Sequence, residues 1–166
     1  MRCSISSVLL INAESTNFRI MIKIDYPVHE FRMKKENNRE MIFDESRRTW
    51  LKLTPEEWVR QNFIRYLIIA KKYPSALVAL EKKIMVGEMV RRFDILVFNK
   101  EHKPWMMVEC KSASVPLSED VLGQALRYNI AMPVEYLVIT NGKSCMAFKK
   151  DFGRLVSLDE IPEFEG

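Results

Sequence analysis

The stretch that decides the fold of this chain is RRFDILVFNKEHKPWMMVECK, at residues 91–111. It contains two apolar, β-prone runs joined by a short polar loop, and this pattern predicts a β-hairpin. Asp94 interrupts the first run, and Glu109 and Lys111 close the second. Side chains alternate between the faces of a strand, so Glu109 and Lys111 point to one face and Cys110 to the other. Unpaired charge is costly in a buried strand pair, so these ionisable groups need a specific reason.

Length and composition are those of one ordinary globular domain. The 166 residues are 48% hydrophobic and 29% charged, which is enough for a substantial core. No apolar run is long enough to span a membrane, and the three cysteines form no CxxC pair, so neither a zinc site nor a disulfide framework is predicted. A cytoplasmic location is therefore expected. The formal net charge of +4 is a mild basic bias, compatible with a polyanionic partner.

The N-terminal third divides into two segments. We expect residues 1–20 to be an upstream extension or a flexible arm, because they make a poor signal peptide and Met21 resembles a natural start. Residues 21–53 are charged and aromatic. Within them, the runs at 39–43 and 49–53 predict a peripheral β-hairpin.

A helix is predicted to begin at Thr54 and to continue to about Lys72. Thr54 suits the N-cap, Pro55 suits the first helical position, and Glu57 completes a capping box with Thr54. Pro74 ends the helix. Apolar residues recur at helical spacing on its inward face: Val59, Phe63, Tyr66, Leu67 and Ala70.

The rest of the chain predicts an α/β fold. Residues 75–86 predict one strand, and a turn at residues 87–88 leads from it into the central hairpin. After the hairpin we expect a helix at 118–131, a buried strand at 134–140, a turn at 141–142 and a return strand at 144–149. Residues 151–166 are expected to be a loosely held acidic tail. The result is a single domain whose core, residues 54–150, has a mixed central sheet flanked by helices.

Asp94 and Glu109 lie on neighbouring predicted strands, where two carboxylates can converge on one hard cation. Oxygen ligands suit Mg²⁺ or Mn²⁺, which bind through one or two carboxylates and a substrate phosphate. Lys111 faces the same site, where it can neutralise phosphate charge or lower the pKa of an attacking water. Glu56 is the expected third acid, because it lies on the inward face of the helix while Glu57 is engaged in the cap. This combination predicts phosphodiester hydrolysis.

These residues resemble a known superfamily of nucleases. Asp94 and the sequence ECK at residues 109–111 resemble the D…ExK signature of the PD-(D/E)XK superfamily. The sequence QALRY at residues 124–128 resembles the QxxxY motif of RecB-type nucleases. The stretch at residues 54–148 is similar to the N-terminal nuclease domain of the restriction (R) subunit of type I restriction enzymes. Phe93 departs from the superfamily pattern, which has proline at this position.

The resemblance implies a restriction-endonuclease-like core with the order αβββαβ and a Mg²⁺- or Mn²⁺-dependent deoxyribonuclease. Asp94 and Glu109 would be metal ligands, with the Cys110 carbonyl as a third. Lys111 would be the catalytic lysine, and Glu56 would be the helix acid. Gln124 and Tyr128 would contact DNA or organise the site. Apart from the resemblance, the positive charges of Arg91 and Arg92 could line a DNA groove.

Other interpretations stay open at this point. Asp94 could be a strand-end acid that pairs with Arg91 or Arg92. The whole chain could be a nuclease-fold module that binds nucleic acid or a partner protein without cutting. The ATP-driven motor domains of a type I restriction subunit have no counterpart in this sequence, and no nucleotide site is predicted. A homodimer or an unknown protein partner also stays open.

Overall fold

The structure is a computed structural model that describes residues 20–81, 83–86, 89–123, 134–152 and 154–164. Its elements are β1 (Ile22–Lys23), β2 (Met33–Glu36), β3 (Arg39–Asp44), β4 (Thr49–Lys52), α1 (Pro55–Arg65), β5 (Val78–Leu80), β6 (Lys83–Val86), β7 (Met89–Arg92), β8 (Ile95–Phe98), β9 (Pro104–Cys110), β10 (Tyr136–Thr140), β11 (Ser144–Asp151) and β12 (Arg154–Leu158). A π-helical segment at Tyr66–Ala70 continues α1, a 3-10 turn spans Ser75–Leu77, and residues 119–123 are helical.

A seven-stranded mixed sheet forms the centre of the molecule, in the order β1-β11-β10-β9-β8-β5, with β12 also paired to β11. β9 and β10 run parallel, whereas the other described pairs of this sheet are antiparallel. A parallel pair needs a crossover connection, and the helical residues 119–123 lie in it. The predicted α/β class with a mixed sheet is confirmed. Within the described residues, no helix is long and apolar enough to cross a membrane.

The sheet has a hydrophobic core on each face, and β9 contributes to both. Val108 packs with Phe63 of α1 in one core, whereas the neighbouring Met107 packs with Leu122 in the other. Alternation along the strand explains this division, because successive side chains point to opposite faces. The sheet therefore lies between α1 and the helical residues 119–123, and its central strands are buried on both sides.

The predicted start of α1 is confirmed, but the predicted capping box is wrong. The Glu57 backbone N–H donates to the Thr54 hydroxyl at 3.0 Å. In the described contacts, the Glu57 carboxylate accepts from Arg60 and Gln61 instead of returning to the cap. Ala70 is exposed, because the wider π-helical turn rotates it off the inward face. The other predicted inward residues are buried: Val59, Phe63, Tyr66 and Leu67.

The predicted N-terminal hairpin is confirmed in β3 and β4, but it is part of a three-stranded antiparallel sheet, β2-β3-β4. The sequence MKKE of β2 has little apolar character, so no strand was predicted there. On β3, Ile42 and Asp44 are fully buried on the face that packs toward α1. The pairing of Asp44 with Gln61 of α1, at 2.9 Å, joins this small sheet to the core.

The prediction of one strand at residues 75–86 is wrong. β5 ends before Glu81, which adopts a positive φ of 45°, and β6 then pairs with β7 in a separate two-stranded sheet. The first run of the central hairpin is broken in the same way, because Asp94 lies in a bend between β7 and β8. The predicted turn at residues 87–88 lies outside the described residues. The order αβββαβ is therefore not confirmed, since two extra strands interrupt it.

The prediction that residues 151–166 form a loosely held tail is also wrong. β12 pairs with β11 along five residue pairs, and Ile161 is fully buried. The Tyr73 hydroxyl donates to the Pro162 carbonyl at 2.5 Å, and the Phe164 ring packs 5.6 Å from that of Trp105. The strand pairing, the hydrogen bond and the apolar contacts together hold this segment against the main sheet.

Candidate active site

Asp94 is held at the point where β8 and β9 begin to pair. Its Oδ2 atom accepts the Cys110 backbone N–H at 2.8 Å, and its backbone carbonyl accepts the Glu81 N–H at 2.9 Å. Its Oδ1 atom accepts from Arg60 Nη2 at 2.9 Å. The bend at Asp94 thus places its carboxylate at the C-terminal end of β9, where Glu109 and Lys111 flank Cys110.

Glu109 and Lys111 meet at the C-terminal end of β9. Glu109 Oε1 lies 2.7 Å from Lys111 Nζ, and the two side chains are only 10% and 17% exposed. Two-residue spacing on an extended strand puts them on the same face, whereas Cys110 between them is fully buried in the core. The structure therefore brings together the three residues Asp94, Glu109 and Lys111.

The charges of these residues act on one another. Burial raises the pKa of Glu109, and the nearby charge of Asp94 raises it further, while Lys111 opposes both effects. Burial alone would lower the pKa of Lys111, but the hydrogen bond and charge of Glu109 outweigh it and raise that pKa. Glu56 also raises the pKa of both groups. Lys111 is therefore held as a cation in a field of several carboxylates.

Arg60 of α1 links three of the surrounding carboxylates. Its Nη1 atom donates to Glu57 at 2.5 Å and to Glu81 at 2.8 Å, and its Nη2 atom donates to Asp94. Glu56 lies 3.7 Å from the same Nη2 atom. Burial alone would lower the pKa of Arg60, but Asp94 and Glu57 outweigh it and raise that pKa. Arg60 is 5% exposed, so it acts as an internal counter-charge.

Arg47 connects the N-terminal sheet to this cluster. It lies in the turn between β3 and β4, and its Nε atom donates to Asp44 at 2.6 Å. Its Nη1 atom donates to Glu81 at 2.5 Å, and its Nη2 atom is 3.5 Å from Glu57. Burial opposes ionisation of Asp44, but the hydrogen bonds from Arg47 and Gln61 lower its pKa. Asp44 is therefore stabilised as an anion.

A cavity of about 620 Å³ lies beside these residues. It is lined by Leu51, Lys52, Thr54, Pro55, Glu56, Glu57, Arg60, Glu81, Arg92 and Ser112. Two of these residues bring the cavity next to the candidate site, because Arg60 contacts Asp94 and Ser112 follows Lys111. Asp94, Glu109 and Lys111 do not themselves line the cavity, which reaches their immediate neighbours.

The sequence prediction placed Glu56 on the inward face of the first helix, and this is wrong. The Glu56 side chain is 48% exposed, whereas that of Glu57 is 8% exposed. The next helical position, Glu57, is the one that α1 turns inward, because its carboxylate is free from the cap. Glu56 still lines the cavity and influences Glu109 electrostatically.

The remaining predicted residues have different positions. Arg92 pairs with Glu81, and Asp94 pairs with Arg60, so the structure does not pair Asp94 with Arg92. The side chain of Arg91 lies outside the described part of the chain. Gln124 and Tyr128 also lie outside the described residues.

The sequence analysis missed five members of this cluster: Asp44, Arg47, Glu57, Arg60 and Glu81. One signal was available for Arg60, which lies between Val59 and Phe63 on the apolar stripe of α1, where a charge needs a partner. Glu81 gave a similar signal, because it interrupts an apolar run. Arg47 gave none, since its partners are distant in sequence.

The donor set of this cluster suits a hard divalent cation. The linked side chains include six carboxylates, Asp44, Glu56, Glu57, Glu81, Asp94 and Glu109, and four bases, Arg47, Arg60, Arg92 and Lys111. Fully ionised, the described cluster thus has two more negative than positive charges. Carboxylate oxygens are the ligands that Mg²⁺ and Mn²⁺ prefer. In the described residues, no three His, Cys, Asp or Glu side chains are already arranged around a common metal position.

Comparison with known proteins identifies the family. Residues 55–162 match the family model described as type I restriction enzyme R protein N terminus (HSDR_N). This match covers more than half of the chain, so the chain belongs to that family, whose description names a type I restriction enzyme.

A fragment structure assigned to an HsdR subunit of a type I restriction enzyme from Vibrio vulnificus YJ016 is similar at 19% identity, with a TM-score of 0.41. That similarity covers 52% of this chain and 19% of the other, so this chain spans less than a fifth of that protein's length. No curated protein matches the chain.

Proposed function

We propose that this protein is a metal-dependent nuclease of the PD-(D/E)XK superfamily that hydrolyses DNA phosphodiester bonds. The observation that carries the proposal is the convergence of Asp94, Glu109 and Lys111 at one end of β8 and β9. Asp94 is linked to Cys110, and Glu109 contacts Lys111 at 2.7 Å. Two carboxylates and a charged lysine beside an open cavity are a suitable combination for phosphodiester chemistry. Membership in the type I R protein family supports the same interpretation.

The strand order also supports the proposal when the β6–β7 hairpin is treated as an insertion. In the main sheet, α1 is followed by β5, β8 and β9, then by the helical residues 119–123, and then by β10. We propose that this order derives from the αβββαβ core, with β6 and β7 inserted between its first and second strands. Gln124 and Tyr128 remain part of the proposal as residues that organise the site or contact DNA.

Each residue has a distinct role in the proposed mechanism. Asp94 and Glu109 would hold Mg²⁺ or Mn²⁺, with the Cys110 carbonyl as a third ligand. A bound cation of this kind supplies Lewis acidity toward the phosphate and makes a water more acidic. Lys111 keeps its proton, because Glu109 raises its pKa, so it acts as a cation that donates to a phosphate oxygen. That contact stabilises the charge that develops in the transition state.

Two residues of α1 would support these groups. Arg60 holds Asp94 Oδ1 at 2.9 Å and fixes the direction of its carboxylate, so it is a positioning residue. Glu56 would be the helix acid, since it lines the cavity and its charge acts on Glu109. Its 48% exposure leaves its carboxylate accessible from solvent.

Cleavage assays test the proposal. Supercoiled plasmid, linear duplex and single-stranded oligonucleotides would be incubated with Mg²⁺, Mn²⁺ or EDTA. We expect cleavage of at least one substrate with a metal ion, and a loss of about 100-fold or more in Lys111→Ala, because one preorganised charge contributes about this much. Asp94→Asn should remove activity. Lys100→Ala, an exposed lysine in the β8–β9 loop, should retain it. Equal cleavage by wild type, Lys111→Ala and Asp94→Asn would overturn the proposal.

A binding module without catalysis is the second candidate. The observation that favours it is that Asp94 and Glu109 already have internal partners, Arg60 and Lys111, as a purely structural charge cluster would. Such a module should bind DNA in EDTA with a steep salt dependence, and no substrate should be cleaved with either metal ion. Metal-dependent cleavage that requires Asp94 would exclude it.

A further inference from the structure

The three-stranded sheet β2-β3-β4 has two different faces. Ile42 and Asp44 point toward α1 and are fully buried. The opposite face carries two aromatic rings, since Phe43 and Trp50 are directly paired across β3 and β4. We call this the outer face of the small sheet. Four basic residues share it with the ring pair, by alternation and strand pairing: Arg32, Lys34, Arg39 and Lys52.

The aromatic pair is directly covered by cations. The Phe43 and Trp50 ring centroids are 5.2 Å apart, at an angle of 60°. The Arg32 guanidinium lies 4.3 Å from the Phe43 centroid, and the Lys34 ammonium lies 4.7 Å from that of Trp50. Both rings are partly exposed, so a ligand can reach the cations above them. This combination of rings and flexible cations suits flat, negatively charged ligands.

The charge of the outer face is unbalanced. Glu36 is the acid on this face, and it lies 3.2 Å from Lys34. In the part of the chain that the structure describes, the other three bases form no salt bridge: Arg32, Arg39 and Lys52. These cations therefore remain available for an external anion, in contrast to the arginines of the acidic cluster, whose charges are neutralised internally.

The outer face continues into the cavity at the candidate active site. Lys52 shares this face with Trp50, and it also lines the cavity together with Glu56 and Arg60. Residues two apart on a strand are separated by about 7 Å, so Trp50 and Lys52 are close neighbours on this face. A polyanion on this face would thus reach the cavity, where Arg60 contacts Asp94.

We propose that the outer face of the small sheet binds single-stranded DNA and guides it into the cavity. Bases would stack on Phe43 and Trp50 in place of the Arg32 guanidinium and the Lys34 ammonium, and these two cations would turn toward phosphates together with Lys52. A single strand is the specific partner, because base faces inside a duplex are already stacked and cannot reach a protein ring. The guiding role rests on the proposed nuclease function, whereas the binding itself does not.

Binding to a fluorescein-labelled thymidine 20-mer, measured by anisotropy in EDTA, tests this proposal without cleavage. Trp50→Ala should weaken binding about 5- to 100-fold, as expected for the loss of one stacked base. Arg32→Gln with Lys52→Gln should lower the slope of log K against log salt by about 1.4, which corresponds to two phosphate contacts on a single strand. Unfolding in urea would show whether each variant keeps its fold.

Two control variants match these changes at distant positions. Phe152→Ala removes an aromatic ring that is 99% exposed, in the turn between β11 and β12. Lys100→Gln removes an exposed charge in the β8–β9 loop, at the opposite end of the strands from Asp94. Both should bind the oligonucleotide as the wild type does. If folded Trp50→Ala also binds equally well, or if the wild type does not bind the oligonucleotide, the proposal is overturned.

Two further outcomes have definite meanings. A preference for duplex over single strand that does not depend on Trp50 would overturn the proposal, as would capture of a protein by this face without DNA affinity. Trp50-dependent binding by a protein that cleaves no substrate would refute the nuclease function and leave this inference intact. If Trp50→Ala changes neither cleavage nor binding, this inference is refuted and the nuclease function remains supported.

Discussion

At the scale of single residues, Glu109 is a buried carboxylate that lies close to the like charge of Asp94. Burial and Asp94 raise its pKa, and Lys111 only partly compensates. Its folded-state pKa is therefore above the unfolded value, so the protonated form is favoured in the folded protein. The resulting stability is fully present below the ordinary pKa of 4.5 and is lost as the pH rises through the folded-state pKa. In the absence of metal, the ionised Glu109 destabilises the fold at neutral pH.

Replacing Glu109 by glutamine tests this conflict. In EDTA we expect Glu109→Gln to have a higher free energy of unfolding than the wild type at pH 8, because the neutral amide avoids the desolvated charge. The difference should disappear as the pH falls below about 4.5. Urea unfolding across this pH range is the measurement. Glu101→Gln, at an exposed carboxylate whose pKa Lys103 lowers, should show no such gain. A less stable Glu109→Gln at pH 8 would contradict the argument.

At the scale of elements, the β3–β4 turn determines how the small sheet is attached to the core. Arg47 in this turn contacts Asp44 of its own sheet, Glu57 of α1 and Glu81 after β5. The next residue, Arg48, has an exposed side chain and forms no salt bridge among the described residues. Two adjacent arginines of one turn thus have very different surroundings, which gives a matched pair of variants.

We expect Arg47→Ala to lower the free energy of unfolding by about 2 kcal/mol, because it leaves partly buried carboxylates without their partner. The estimate is below that for a fully buried pair, since the Arg47 side chain is 23% exposed and solvent screens its charge. Arg48→Ala, which removes the same charge, should stay within about 0.5 kcal/mol of the wild type. Equal effects of the two variants in urea unfolding would show that Arg47 does not attach the sheet.

The elements that could be predicted from the sequence are those with local signals. Thr54 and Pro55 mark the start of α1, and the Asn141-Gly142 turn joins β10 to β11, where Gly142 has a φ of +83°. Its missing side chain also matters, because a Cβ there would lie 2.9 Å from Val59. By contrast, β2 and β12 pair with the strands next to them in sequence, but MKKE and RLVSL are short and lack a clear apolar alternation, so periodicity alone does not predict them.

The candidate site divides in the same way. Asp94, Glu109 and Lys111 could be found because strand alternation and a short loop between two strands determine their positions. The prediction that Glu56 rather than Glu57 faces inward was wrong, because it assumed that the Glu57 carboxylate caps the helix, whereas that carboxylate accepts from Arg60. Arg47 joins the site from a separate sheet, and no spacing rule connects residues so far apart in sequence.

At the scale of the whole molecule, the cluster of six carboxylates and four bases at the candidate site connects the main sheet, α1 and the small sheet. The cluster has a net negative charge when it is fully ionised. Asp94 is bound to β9, Arg60 belongs to α1, and Arg47 belongs to the small sheet. A divalent cation that binds the folded state would therefore stabilise all three units together. Because the unfolded chain does not present these carboxylates as one group, such binding is coupled to global stability.

We therefore expect Mg²⁺ or Mn²⁺ to raise the melting temperature of the wild-type protein at constant ionic strength. At a free concentration ten times the dissociation constant, the added stability is about 1.4 kcal/mol. Asp94→Asn, which keeps the shape of the side chain, should lose this increase, whereas Asp151→Asn, at an exposed carboxylate, should keep it. Thermal unfolding followed by circular dichroism measures the shift without any substrate. An equal shift in the wild type and Asp94→Asn would place the cation elsewhere, and no shift in the wild type would argue against a metal at these carboxylates.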